Sequence, residues 1–246
     1  MDYIIYPALI FAGIFAGFIN TVAGGGSTLT IPVFLLAGLP PSQANATNRI
    51  GILIQTISAT YQYQKRNLVP LEEFKITLPW MLAGGGAGAW LAAVLPDQTL
   101  EPLIYTFIIL AGISVFIKSD QIHTVKAAPR PVQYLGMFGA GFYGGFLQAG
   151  VGIVLLAVLH GLMNLEFKRA NALKILAVLP FTLVSLAIFS YHDLIVWIPG
   201  LILSIGSFFG AKWAVFFIDK VDVKKVKVAF VVILVILVGV NIIKKF

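Results

Sequence analysis

The sequence predicts an all-α polytopic membrane protein made of two inverted pseudo-symmetric repeats of about five helical segments, each with a glycine-broken short helix pair. Three observations predict it. Of the 246 residues, 59% are hydrophobic and 11% charged, and mean hydropathy is +0.95; ordinary soluble domains carry about 25% charged residues. A glycine-interrupted pattern occurs twice: Gly17-Phe18 leads into AGGGSTLTIP (Ala23 to Pro32) and QANATNR (Gln43 to Arg49), and Gly141-Phe142 leads into AGVGIVLLA (Ala149 to Ala157) and RANALK (Arg169 to Lys174). Finally, the basic residues collect on one side of a membrane only if each half crosses it an odd number of times.

Apolar segments run from about Ile4 to Val22, Leu29 to Leu39, Ile50 to Tyr63, Phe74 to Leu95 and Leu100 to Ile117. After KSDQIHTVKAAPRP they resume at about Val132 to Ala149, Ile153 to Leu162, Ala170 to Tyr191, Leu194 to Ile218 and Val226 to Ile243. The expected organisation is one membrane transport domain over 1–246, with repeat 1 at about 1–118, a linker at 119–131 and repeat 2 at about 132–246. A spanning helix needs about 20 residues, so the second segment of each half is too short to cross alone. The first two segments of each half should form a broken or hairpin unit bent within the membrane. The opening MDYIIYPALIFAG lacks the basic flank of a cleavable signal and reads as a retained segment.

With an odd count, one side receives Lys65, Arg66, Lys75, Lys118, Lys126, Arg130, Lys168, Arg169, Lys220, Lys224, Lys225 and Lys227. The other receives only Lys244 and Lys245, while Arg49, Lys174 and Lys212 fall inside segments. Both termini should then face outside, and the net charge of +7 reflects cytoplasmic loops rather than a nucleic-acid partner.

Gly24-Gly25-Gly26-Ser27-Thr28 can bend sharply, present backbone N–H groups and open a short helix with its positive dipole end inward. Asn20 and Thr21 flank it. The second copy, Gln148-Ala149-Gly150-Val151-Gly152, keeps two glycines and adds an amide. Close helix packing is the competing use of such glycines, and it is the expected use in LAGGGAGAW (Leu82 to Trp90), which has no polar companion. Asn45-Ala46-Thr47-Asn48-Arg49 aligns with Asn171-Ala172-Leu173-Lys174-Ile175, so each half carries a cation beside amides. An intramembrane cation costs at least about 2.5 kcal/mol unless paired or hydrated. Anion binding by Arg49 and Lys174 would explain that cost, and snorkelling to an interface is the alternative, which suits Lys212.

All ten acidic residues fall in predicted loops or segment ends, so no buried carboxylate is available for a cation site. With no cysteines and three scattered histidines, no metal site or cofactor is expected; His160 is expected to make a structural hydrogen bond. HExxH and GxSxG are both absent, so the chain does not read as an enzyme. The expected site is an anion pocket formed by Asn20, Gly24, Gly25, Gly26, Ser27, Thr28, Asn45, Thr47, Asn48, Arg49, Gln148, Gly150, Gly152, Asn171 and Lys174.

GFINTVAGGGSTLTIPVFLLAGLPPSQANATN, with its weaker second copy, resembles the TauE/SafE group of membrane proteins, the sulfite exporters. The resemblance covers essentially the whole chain. It implies a secondary transporter of a bacterial-type inner membrane, exporting sulfite, a sulfonate or a related sulfur-containing anion. It carries the family's motif onto Gly24, Gly25, Gly26, Ser27, Asn45, Thr47, Asn48, Gly150, Gly152 and Asn171; Leu173 stands where a hydroxyl residue is expected. An importer or passive channel for a small anion is the alternative. The expected partners are a small anion and the lipid bilayer, and small-residue-rich helices are compatible with a homodimer.

Overall fold

The computed structural model describes residues 5–22, 25–65, 70–114, 126–217 and 223–245. The described residues form helices and no strand: α1 Ile5–Val22, α2 Ser27–Leu36, α3 Pro41–Lys65, α4 Leu71–Val94 and α5 Asp97–Ser114, then α6 Arg130–Phe146, α7 Val151–Leu156, α8 Phe167–Tyr191, α9 Trp197–Phe217 and α10 Val223–Lys245. A π-helical stretch, Ala157–Leu162, continues α7. Ten residues of α2 rise only about 15 Å, half the hydrocarbon thickness. The α7 unit is similarly short, as the sequence indicates. Most of the proposed linker lies outside the described residues.

By length and composition α1, α8 and α9 qualify as membrane spans. The central helix α3 does not, because its buried face is polar: Asn45, Thr47, Asn48, Arg49, Gln55, Thr56 and Ser58 are all buried. That polar run also explains a difference from the sequence reading. The apolar signal begins near Ile50, yet α3 starts at Pro41, a residue preset for a first helical turn. The Asp97 carboxylate caps that end by accepting Ser42 N–H at 2.7 Å. Arg49 therefore sits within a helix rather than at its edge.

Glycine pairs four residues apart bring the halves together. On α1 and α9, a Cβ at Gly13 would stand 2.3 Å from Leu203 O and one at Gly210 2.1 Å from Ile14 O. On α4 and α6, a Cβ at Gly84 would stand 2.1 Å from Phe138 O and one at Gly145 2.0 Å from Gly85 O. Only hydrogen fits there, which is how small-xxx-small pairs let helix backbones touch. The packing role expected for LAGGGAGAW is what Gly84, Gly85 and Gly88 perform. Contacts advance together along both crossings, so α1 runs parallel to α9 and α4 parallel to α6.

The two central helices meet between these pairs. α3 runs with α9, from Thr47 at Val196 to Ser58 at Phe208, and α8 runs with α4, from Arg169 at Glu73 to Phe181 at Gly85. α3 and α8 run oppositely: Tyr63 meets Asn171 at one end, and Arg49 lies against Phe189 at the other. Large apolar side chains such as Phe11, Trp90, Leu135, Phe216 and Ile243 face outward, as a lipid-contacting wall requires.

Candidate functional site

Between α1, α3, α7 and α8 lies a small cavity lined by Asn20, Thr21, Gln55, Thr56, Gly152 and Lys174 together with Ala59, Val151, Ile175 and Val178. It offers about 20 Å³ to the centre of a water-sized sphere, enough for water and too little for an oxyanion. Lys174, 2% exposed, forms its charged wall. The ammonium donates to Asn171 Oδ1 at 2.7 Å and to Asn20 O at 3.5 Å; Asn171 is oriented by donating Nδ2–H to Tyr63 OH at 2.8 Å. Thr21 and Thr56 donate their hydroxyls to Gly17 O and Ile52 O of their own helices, leaving lone pairs toward the space.

A second cluster closes the seam between α3 and the end of α6. Arg49 is fully buried and donates to Gly144 O at 2.5 Å, Gly145 O at 2.8 Å, Asn45 Oδ1 at 3.2 Å and Gln148 Oε1, with its guanidinium 5.3 Å from the Phe189 ring centroid. Asn45 donates to Phe146 O at 2.8 Å and Ser27 to Gln148 O at 3.0 Å. Side chains of the first half thus satisfy the carbonyls that a helix end leaves unpaired. Gln148, in the left-handed region at φ 62°, is fixed by Arg49 and by donating to Thr182 Oγ1 at 2.8 Å. Gly150, at φ 72°, opens α7 and passes 2.6 Å, measured to a would-be Cβ, from Ala111 Cβ.

Of the expected site residues, then, Asn20, Gly152 and Lys174 line the cavity, and Asn171 holds Lys174. Ser27, Asn45, Arg49, Gln148 and Gly150 belong to the seam. Thr47 accepts Val196 N–H at 3.0 Å and positions α9. Asn48 accepts from Thr30 Oγ1 at 2.5 Å, and its Nδ2 has no partner. Gly25 O accepts from Thr28 N and Oγ1, at 3.1 and 2.6 Å, while Gly26 lets α2 fold against α1, its would-be Cβ 1.9 Å from Ala16 O. Gly24 lies outside the described residues. Sequence reading missed Gln55 and Thr56, although a polar pair inside an apolar segment was their signal.

The described ion pairs, Lys75 with Glu72 at 3.0 Å and Arg169 with Glu73 at 2.6 Å, lie near the starts of α4 and α8. Both deep cations are instead held by neutral oxygens. Among the described residues no group of His, Cys, Asp and Glu could hold a metal ion. His160 Nδ1 lies 2.7 Å from Leu165 O, in the structural contact expected of it.

The family description "Sulfite exporter TauE/SafE" matches residues 9–242. The chain belongs to this family. Relatives include "Probable membrane transporter protein ORF9" of Sinorhizobium sp, 28% identical over 217 residues, covering 83% of this chain and 79% of the relative. "Probable membrane transporter protein YfcA" of Escherichia coli (strain K12) is 27% identical over 207 residues, covering 83% and 77%. A "Probable membrane transporter protein" of Haemophilus influenzae is 29% identical over 211 residues, covering 83% and 82%. No solved structure gives a significant match. Like its TauE/SafE relatives, the chain is an integral membrane transporter, working in lipid on a small-molecule substrate.

Proposed function

We propose that this protein exports a small sulfur-containing anion, such as sulfite or an organosulfonate, across a bacterial cytoplasmic membrane. Lys174 carries the reading: its ammonium is buried at the wall of a polar cavity with neutral oxygens as partners. A charge held by dipoles alone in a low-dielectric site leaves a positive potential, which an entering anion neutralises. Asn20 and Gln55 add side-chain amides whose N–H groups can donate to an oxyanion, and the Thr21 and Thr56 hydroxyls can join them by turning away from Gly17 O and Ile52 O.

Helix directions support an inverted repeat. With α1 and α6, α3 and α8, and α4 and α9 as counterparts, the parallel crossings of α1 with α9 and α4 with α6, and the opposed α3 and α8, set each pair in opposite senses. Two such halves can rock about a shared site to alternate access, and the basic loops then put both termini outside.

The test is efflux of sulfite and of methanesulfonate from proteoliposomes. Wild type should exceed empty liposomes, show faster exchange when anion is present on both sides, and lose most flux in Lys174→Met. Failure of wild type to carry any sulfur oxyanion or sulfonate overturns the proposal, and flux without exchange acceleration makes it a channel.

A further inference from the structure

Each half of the chain makes one cation bracket of the same design. Arg49 on α3 reaches back to Asn45 Oδ1 and across to Gly144 O at the end of α6. Lys174 on α8 reaches back to Asn171 Oδ1 and across to Asn20 O at the end of α1. Aligning Gly17-Phe18 with Gly141-Phe142 sets Asn20 opposite Gly144, and aligning Asn45 with Asn171 brings the two cations within one residue of each other. The brackets differ in tightness. Arg49 crosses to three acceptors, at 2.5 Å on Gly144 O, 2.8 Å on Gly145 O and closely on Gln148 Oε1, with only its buried Nε left without a partner. Lys174 crosses to one, at 3.5 Å, and the water-sized cavity adjoins it.

We propose that the Lys174 bracket is the one that opens in transport, while the Arg49 bracket stays shut as a fixed joint. Parting of α1 and α8 would admit an anion larger than water, and the Asn20 carbonyl, accepting from the Lys174 ammonium, makes the hydrogen bond that joins those two walls. The anion takes its place on Lys174 and frees the end of α1. A 3.5 Å contact is weak, and an anion on the ammonium adds a charge–charge attraction that a neutral carbonyl lacks. Opening the Arg49 bracket would instead orphan several buried carbonyls. Arg49 is thus a positioning residue, acting through Gln148 and Gly150 on the wall formed by Val151 and Gly152. The inference rests on Lys174 being the anion contact.

The chain has no cysteines, so a Thr21→Cys, Val178→Cys pair, one on α1 and one on α8 among the residues lining the cavity, reports the opening once its disulfide forms without ligand. Methanesulfonate is the probe, because sulfite cleaves disulfides. Disulfide formation should fall severalfold when it is added. Undiminished formation in a variant that methanesulfonate still stabilises overturns the proposal. In transport, Lys174→Arg supplies a fork able to close the second bracket, so turnover should fall about tenfold while unliganded Tm stays equal or rises; turnover within about twofold of wild type overturns it. Arg49→Lys should lower turnover and Tm with little change in KM, whereas Lys174→Met should raise KM. A raised KM with unchanged Tm in Arg49→Lys makes Arg49 a ligand and overturns the fixed joint. If wild type binds and carries no such anion, the proposed function fails separately. Unliganded Tm still tests the brackets, because Arg49→Lys must melt below Lys174→Met.

Discussion

Gly88→Ala tests the glycine seam that joins the halves. A Cβ at residue 88 would stand 2.0 Å from Phe142 O and 2.8 Å from both Phe142 C and Phe146 N, all backbone atoms. Real Cβ atoms keep at least 3.0 Å from such neighbours, so α4 and α6 would have to part by about 1 Å. Gly86 lies on another face of α4 and meets only Val184 Cγ1 at 3.6 Å, an ordinary contact. Overpacking at residue 88 costs about 1–3 kcal/mol, while alanine for glycine inside a helix gains about 0.8–1 kcal/mol where space permits. The propensity gain is common to both positions, so the two single-methyl variants should differ by the overpacking cost, roughly 1–3 kcal/mol, or about 2–12 °C in Tm for a chain of this size. Thermal unfolding in one detergent, followed by tryptophan fluorescence, makes the comparison. Gly86→Ala should melt at or slightly above wild type and Gly88→Ala below that variant. Coincident melting within about 2 °C refutes the close crossing.

Gly150→Ala combines a left-handed φ with a Cβ 2.6 Å from Ala111 Cβ, and should cost at least about 2 kcal/mol; adding Ala111→Gly should recover the steric part alone, as read by Tm. Gln148→Ala removes the acceptor of Arg49 and the donor to Thr182, so it should destabilise by about 2–3 kcal/mol. Gln148→Gly loses the same contacts but relaxes φ 62°, so it should melt above the alanine variant; the reverse order would refute the strain argument. Asp97→Ala should cost about 1 kcal/mol by uncapping α3, and Asp97→Asn, which keeps an acceptor for Ser42 N–H, clearly less.

The helices were legible because apolar runs and glycine punctuation mark them, and ten segments were expected where ten helices are described. The start of α3 was not legible, since its first turns carry buried polar residues that hydropathy scores as loop. Glycine spacing marked a packing face on α4, but only tertiary structure says that the partner is α6: spacing fixes the face, never the neighbour. Lys174 and Asn20 were found by charge and motif. The partners of Arg49 were hidden, because most are backbone carbonyls, which every residue carries. The contrast between a cation closed on its own protein and one facing a cavity therefore appears only in three dimensions.

The departure at Leu173 has a local cause. Aligning Gly84 and Gly88 with Gly206 and Gly210 sets Phe74 opposite Val196. Val196 precedes the first residue of α9, so its N–H lacks a helical acceptor, and Thr47 Oγ1 supplies one at 3.0 Å. Phe74 already lies within α4, where its N–H bonds Pro70 O at 3.2 Å. A hydroxyl opposite it would find no free N–H to accept across the seam and would give up the apolar packing that a leucine provides there. Leu173 fills that place with the apolar cluster around Phe74, Ala177 and Phe181. The halves differ here because α9 begins later than α4, so the missing hydroxyl follows from where the two helices start.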